Sequence, residues 1–467
     1  MSRRVVVVDS GFGRRLRELR EGEGLSLRRL GKLAHCSHGY LWDLESGAKR
    51  PSASVAALLD TVLGARGELS AMVHEVAPDP GAQSTTDSRG GAPLPSGLEF
   101  PPHWRHGVDA AAELWQEDVR RRPLLRAATF SAAAFMTPAM RWLTSPLDEQ
   151  PAGHGEHVVG QPDVDMVRRI TAVYRAMDNQ HGGGHVREAV LRFLHAEVAV
   201  LLRGRFDPRT GAALLSAAAE TTQLAAWTSY DVGLNGLAQR YMIQALRMAA
   251  AAGDQPLGAE IIAAMSHQAA YLGAPAEAVD LARAAGRAAA DAGVAAIQAE
   301  SAALEAQGHA AGGDERACAT ALDRAERLLD RADRTSDPQW IGYLDESYLA
   351  AKFGQCFTAL RRGDLAQRFA ARSLEMDGRH YARGRQFNLA LLAVAYAQAG
   401  EPEQAGVVAL RAAEAAEGLH STRAHDNLTD LSNRLAPHVG LAPVRAFADR
   451  VGPVLAASLD PSGRFCQ

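Results

Sequence analysis

The chain has 467 residues but only four cysteines, Cys36, Cys318, Cys356 and Cys466. They lie far apart and form no C-x-x-C pair, so neither a disulfide framework nor a zinc site is indicated. Long apolar runs are also missing. None reaches the roughly 18 residues a membrane helix needs, so no membrane partner is expected. Val5–Val8 follows Arg3 and Arg4 like the start of a secretion signal, but Asp9 ends it, and a cytoplasmic location is expected. β-branched alternation is scarce beyond residue 103, so no sheet is expected there. Neither H-E-x-x-H nor G-x-S-x-G occurs, so the reading has no catalytic residues, no metal and no cofactor.

Apolar residues make up 47% and charged residues 22%, a globular balance. The length points to about two to four domains. Net charge is −4, unevenly divided. Residues 1–76 hold 12 Lys and Arg against 9 Asp and Glu, and the rest holds 38 against 45. A basic module on an acidic body hints at a nucleic-acid partner. Residues 77–102 are rich in Pro, Gly, Ser and Thr and read as a flexible linker. The domains are therefore 10–76, a linker 77–102, and a helical body 103–467.

Within 10–76, residues 10–21 form a first helix with Phe12, Leu16 and Leu19 on one side. Ser26 caps a second helix through Ala34, and His35-Cys36-Ser37 make a turn. Ser37 caps a third helix whose Leu41 and Leu44 face inward and which Gly47 ends. Pro51-Ser52 start a fourth. Two short helices joined by a tight turn describe a helix-turn-helix, whose second helix inserts its first turn into the major groove. That accounts for the polar front of SHGYLWDLESGAKRPS (37–52). His38, Gly39, Tyr40 and Asp43 are the base-reading candidates, and the capping Ser37 is a further DNA-binding candidate. Arg14, Arg15, Arg28, Lys49 and Arg50 are the phosphate candidates. Trp42 reads as core.

Leu25-Ser26, Ala34, Ser37 and the run L-E-x-G-x-K-R-P-S (44–52) resemble the Xre-family helix-turn-helix domain. Two positions depart from it: Leu27 stands where that family has Gln, and bulky Trp42 where a small residue is usual. The resemblance implies binding to double-stranded DNA.

The body repeats itself. Gly273 is followed by Ala278, Ala282 and Ala285; Gly313 by Cys318, Leu322 and Ala325; Gly400 by Ala405, Ala409 and Ala412. Small residues at those offsets let antiparallel helices approach closely. The pattern resembles the tetratricopeptide repeat. The fold class is thus all-α: a helix-turn-helix domain plus an α-solenoid of about six to eight tetratricopeptide-like hairpins. A generic helical bundle is the alternative.

Polar and aromatic residues gather inside Ala-rich helices. Asp178, Trp227, Asp231, Asn235, Gln239, Arg240, His267, Gln268 and Tyr343 are the ligand-binding candidates, for a peptide or small-molecule effector on a concave surface. Contacts between neighbouring repeats are the alternative. The three glycines of HGGGH (181–185) read as a turn between helices. AMDNQHGGGH, TTQLAAWTSYDVGLNGLAQRYMIQAL and MSHQAAYLG resemble stretches of actinobacterial transcription regulators. A homodimer is expected, because one such domain reads only a half-site. The competing reading is a helical-repeat adaptor that does not bind DNA.

Overall fold

The structure is a computed structural model. It describes residues 5–8, 11–34, 38–46, 51, 53–65, 67–76, 96–120, 128–145, 150–335 and 337–458. The chain divides into two compact units, Met1–Gly91 and Ala92–Gln467.

In the first unit, α1 (Phe12–Gly22), α2 (Leu27–Leu33), α3 (His38–Glu45), α4 (Ala53–Leu63) and the short α5 (Glu68–Ala71) enclose one small core. Phe12, Leu16, Leu30, Leu41, Leu44 and Leu59 fill it at helical spacing. The Ser26 hydroxyl accepts from the Arg29 amide at 3.3 Å, capping α2 as expected, an interaction worth about 1 kcal/mol. α1 crosses the end of α3 in backbone contact. A Cβ on Gly13 would lie 2.6 Å from the carbonyl oxygens of both Leu44 and Glu45.

Glu45 is buried and binds Arg20 at 2.6 and 3.0 Å and Arg17 at 3.2 Å. Arg20 also donates to the Leu25 carbonyl at 2.8 Å. The glutamate of the L-E-x-G run therefore holds the fold. Beyond the helices, β1 (Val5–Val8) pairs antiparallel with β2 (Val73–Val76).

The second unit begins with α6 (Trp104–Val119) and α7 (Ala133–Thr144). Helical hairpins follow. α8 (Gln161–His181) pairs with α9 (Gly183–Phe193), which runs on through a wider turn to Leu202. α10 (Pro208–Asp231) pairs with α11 (Asn235–Ala252), and α12 (Gln255–Tyr271) with α13 (Pro275–Asp291). Next come α14 (Ala295–Ala311) with α15 (Glu315–Leu329), and α16 (Glu346–Ala359) with α17 (Gly363–Ser373). α18 (Ala382–Gln398) with α19 (Pro402–Ala415) and α20 (Thr422–Leu435) with α21 (Ala442–Ser458) complete the series.

The small residues aligned on Gly273, Gly313 and Gly400 are all buried between helices. Turn glycines with positive φ recur at every twentieth position, Gly233, Gly253, Gly273, Gly293 and Gly313. A side chain would be strained there. A hairpin in this part thus spans about 40 residues, against 34 in the tetratricopeptide pattern.

The first helix of each hairpin lies in an inner row, α10, α12, α14, α16, α18 and α20, each beside the next. α8 packs against both α10 and α18, so the row closes on itself. Two findings differ from the sequence reading. A two-residue ribbon, β3 (Gly153–His154) with β4 (Arg205–Phe206), interrupts a body expected to have no sheet. It forms where backbone passes very close: a Cβ on Gly153 would lie 2.3 Å from the Gly204 oxygen. Residues 96–102, assigned to the linker by composition, lie against α11. Their carbonyls accept from Arg240, Gln244 and Arg247, residues that the composition of 77–102 does not reveal. Residues 77–95 lie outside the described residues.

Candidate functional site

α3 carries the expected two-sided pattern. Leu41 and Leu44 are fully buried, His38 and Gly39 are exposed, and Tyr40 and Asp43 are half-buried. Tyr40 also packs against the domain core. Trp42 corrects the sequence reading, since it is 55% exposed rather than core. Leu41 and Leu44 already occupy the inward positions. At 100° per residue, Trp42 falls on the outer side with His38, four residues before it, and Gly39, three before. The outer face of α3 is therefore His38, Gly39 and Trp42, and that spacing was visible in the sequence.

Arg14 and Arg28 are exposed, as a phosphate contact requires. Arg15 is instead tied within the domain, at 2.6 and 2.9 Å to Glu68 and 3.0 Å to Glu18. Those carboxylates compete with any phosphate for its guanidinium. Ser37, Lys49 and Arg50 lie outside the described residues.

The ligand candidates of the body separate into three groups. Gln239, Arg240, Asn235 and Gln268 serve packing. Gln239 exchanges bonds with the Ser131 backbone at 3.2 and 2.6 Å, Arg240 donates to the Ser96 and Gly236 carbonyls, and Gln268 donates to the Asn235 carbonyl at 3.0 Å. They share no open groove. Long polar side chains there satisfy carbonyls of irregular backbone that would otherwise be buried unpaired.

Asp178 and Asp231 form the second group, a buried acidic node. Asp178 takes both prongs of Arg383. Asp231 accepts from the Gly183 amide at 2.8 Å and the Ser421 hydroxyl at 2.9 Å. The HGGGH glycines belong here. The Gly184 amide donates to the His420 carbonyl, and the His420 amide donates to the His181 carbonyl, both at 2.8 Å. A Cβ on Gly182 or Gly184 would lie 2.8 Å from the His420 oxygen. Gly182 alone makes the turn, since Gly183 and Gly184 already belong to α9, and the glycines together form a seat for the chain entering α20.

Trp227, His267 and Tyr343 form the third group and meet several residues that the sequence reading missed. Lys352 Nζ lies 3.0 Å from His267 Nδ1 and 3.3 Å from Gln307 Oε1. The Tyr343 hydroxyl lies 2.8 Å from Glu260 and 2.9 Å from Glu300, and the Tyr348 hydroxyl bonds Glu300 as well. The Arg423 guanidinium stands 4.3 Å from the centre of the Tyr230 ring, 4.8 Å from Phe387 and 5.1 Å from Tyr271. The His267 ring packs on Trp227 and Tyr230.

Burial sets the protonation of this cluster. Burial and the adjacent Glu300 push the Glu260 carboxyl well up. Burial, with Lys352 and Arg423 nearby, pushes His267 well down, so its neutral Nδ1 accepts from the ammonium. Burial lowers Lys352 to about 8, Glu300 opposing the shift and Arg423 adding to it. The sequence reading did not single out Lys352 or Arg423.

Comparison with known proteins adds one positive finding. Residues 12–72 match the family model of a helix-turn-helix domain. The first unit contains a helix-turn-helix domain, a fold class that suggests a DNA-binding regulator, and α2 and α3 are its two short helices. No curated protein matches the chain.

Proposed function

We propose that the chain is a sequence-specific, DNA-binding transcriptional regulator of the Xre type. Its tetratricopeptide-like body is the dimerisation and sensing arm, and it has no catalytic role. The observation that carries this is α3, which presents His38, Gly39 and Trp42 outward while Leu41 and Leu44 anchor it to the domain core. Arg14 and Arg28 supply positive charge for the phosphates. One half-site carries too little sequence information, so two copies would bind an inverted repeat, with the helical-repeat bodies forming most of the interface. An effector acts by changing how the two bodies pair, and must bind the two arrangements with different affinity.

A gel shift tests this with full-length protein and the DNA upstream of its own gene. A discrete complex, competed by the same duplex and not by scrambled DNA, is expected. Equal competition by both would overturn it. The adaptor reading draws on one observation, that Leu33 and Trp42 are both more than half exposed. It predicts no shifted complex at all.

A further inference from the structure

Buried cations of the second unit normally have a partner. Arg187 pairs with Asp118, Arg383 with Asp178 and Asp231, and Arg240 takes backbone carbonyls. Lys352 and Arg423 are different. Lys352 is 4% exposed, yet its hydrogen-bond partners are an imidazole and an amide. Among the described residues, neither it nor Arg423 forms an ion pair. Glu300 acts on Lys352 without a direct ion pair, while Arg423 and Lys352, two buried cations near one another, repel.

Three aromatic rings lie around the Arg423 guanidinium. Its Nε remains buried without a hydrogen-bond partner. The Tyr230 hydroxyl, on a residue 1% exposed, is also unpartnered. A guanidinium edge is the group best shaped for a carboxylate, which it meets through two parallel N–H bonds. The guanidinium lies over the rings of Tyr230, Tyr271 and Phe387, and Trp227 packs on Tyr230.

We propose that this cluster binds a small aromatic carboxylate, its carboxylate held between Lys352 and Arg423 and its ring among Trp227, Tyr230 and Tyr271. The Tyr230 hydroxyl then gains an acceptor, and the two cations gain a directly bonded carboxylate. The site draws on α10, α12, α16, α18 and α20, so its occupant ties both ends of the inner row together. That makes it the effector site of the regulator proposed above, and the assignment of that role rests on that reading. Binding itself does not require it.

The test uses full-length protein without DNA. Benzoate and indole-3-acetate are titrated by calorimetry and thermal unfolding, with benzamide and indole-3-acetamide as neutral counterparts. The carboxylates should bind and raise Tm with concentration, and the amides should not. Lys352→Met and Arg423→Gln should each weaken carboxylate binding at least tenfold. Lys352→Met without any probe should melt no lower than the parent, because a buried charge with no direct ion pair has been removed. Equal effects of acids and amides, no effect of either, or an unchanged response in Lys352→Met would each overturn the proposal. So would a probe-free Tm well below the parent in both variants, which would make the cluster a packing clamp. DNA binding is read separately by anisotropy, so loss of that reading leaves the result intact.

Discussion

Arg383 and Asp178 lie 205 residues apart and meet in a two-pronged ion pair, at 2.7 and 2.8 Å. Arg383 also lies 3.5 Å from Asp231, which holds the start of α9 through Gly183 and the entry to α20 through Ser421. One buried node thus joins the first hairpin of the row to its last two. It fixes the closure that brings Arg423 to Tyr230. Arg383→Ala leaves the Asp178 carboxylate buried without its cation, while Asp231 keeps the Gly183 amide and the Ser421 hydroxyl. Chemical denaturation should show a loss of about 3–5 kcal/mol. A loss below about 1 kcal/mol would mean the pair adds little to the closure.

The glycine seat gives an independent check. A Cβ on Gly183 would lie 2.7 Å from the Thr228 carbonyl oxygen and 2.9 Å from Asp231 Cβ, neither of which can swing aside. Gly183→Ala should cost about 1–3 kcal/mol by overpacking. Gly286→Ala, whose nearest neighbour is 3.5 Å away, should be close to neutral. Equal effects at the two positions would contradict the account of HGGGH.

In the helix-turn-helix unit, Glu45→Ala removes the buried carboxylate that holds Arg20, leaving it Glu21 at 3.2 Å and the Leu25 carbonyl, and should destabilise the domain by about 1–3 kcal/mol. Trp42→Ala removes an exposed side chain and should leave that stability within about 0.5 kcal/mol. It should nevertheless weaken DNA binding. A Trp42→Ala protein with unchanged affinity would remove that residue from the interface.

Lys352 gives the expected pH dependence. Its folded value is about 8 against an ordinary 10.5. Between those values the unfolded chain holds the proton and the folded protein has released it. Unfolding takes up a proton, so this group's contribution to stability rises with pH across that window. The stability difference between parent and Lys352→Met should move in the parent's favour from pH 8 to 10.5. No change, measured by denaturant titration at several pH values, would contradict the burial assigned to this lysine.

The helix-turn-helix was legible because its signals are local. Ser26 caps α2, and Leu41 and Leu44 fall at one spacing on α3. The repeat was legible in the same way from small residues following turn glycines. Trp42 was misplaced by its size, although its spacing from His38 and Gly39 already put it outside. The interior site was only half legible. Trp227, His267 and Tyr343 stood out as polar or aromatic residues in Ala-rich helices. Their partners depend on closure of the row: Lys352 meets His267 across 85 residues, and no local pattern records such a meeting. Gln239 and Arg240 looked like groove residues because packing against an irregular segment demands the same side chains as ligand binding.

The central claim is that α3 reads DNA sequence. Selection from a random duplex library with full-length protein, followed by anisotropy on the enriched site, tests it most directly. One inverted motif should emerge, and log affinity should fall linearly with log salt. His38→Ala should relax the base preference, while Arg28→Ala should weaken all duplexes alike and flatten the salt slope by about one. A library that enriches no motif, or His38→Ala and Arg28→Ala proteins with the same specificity profile, would contradict it.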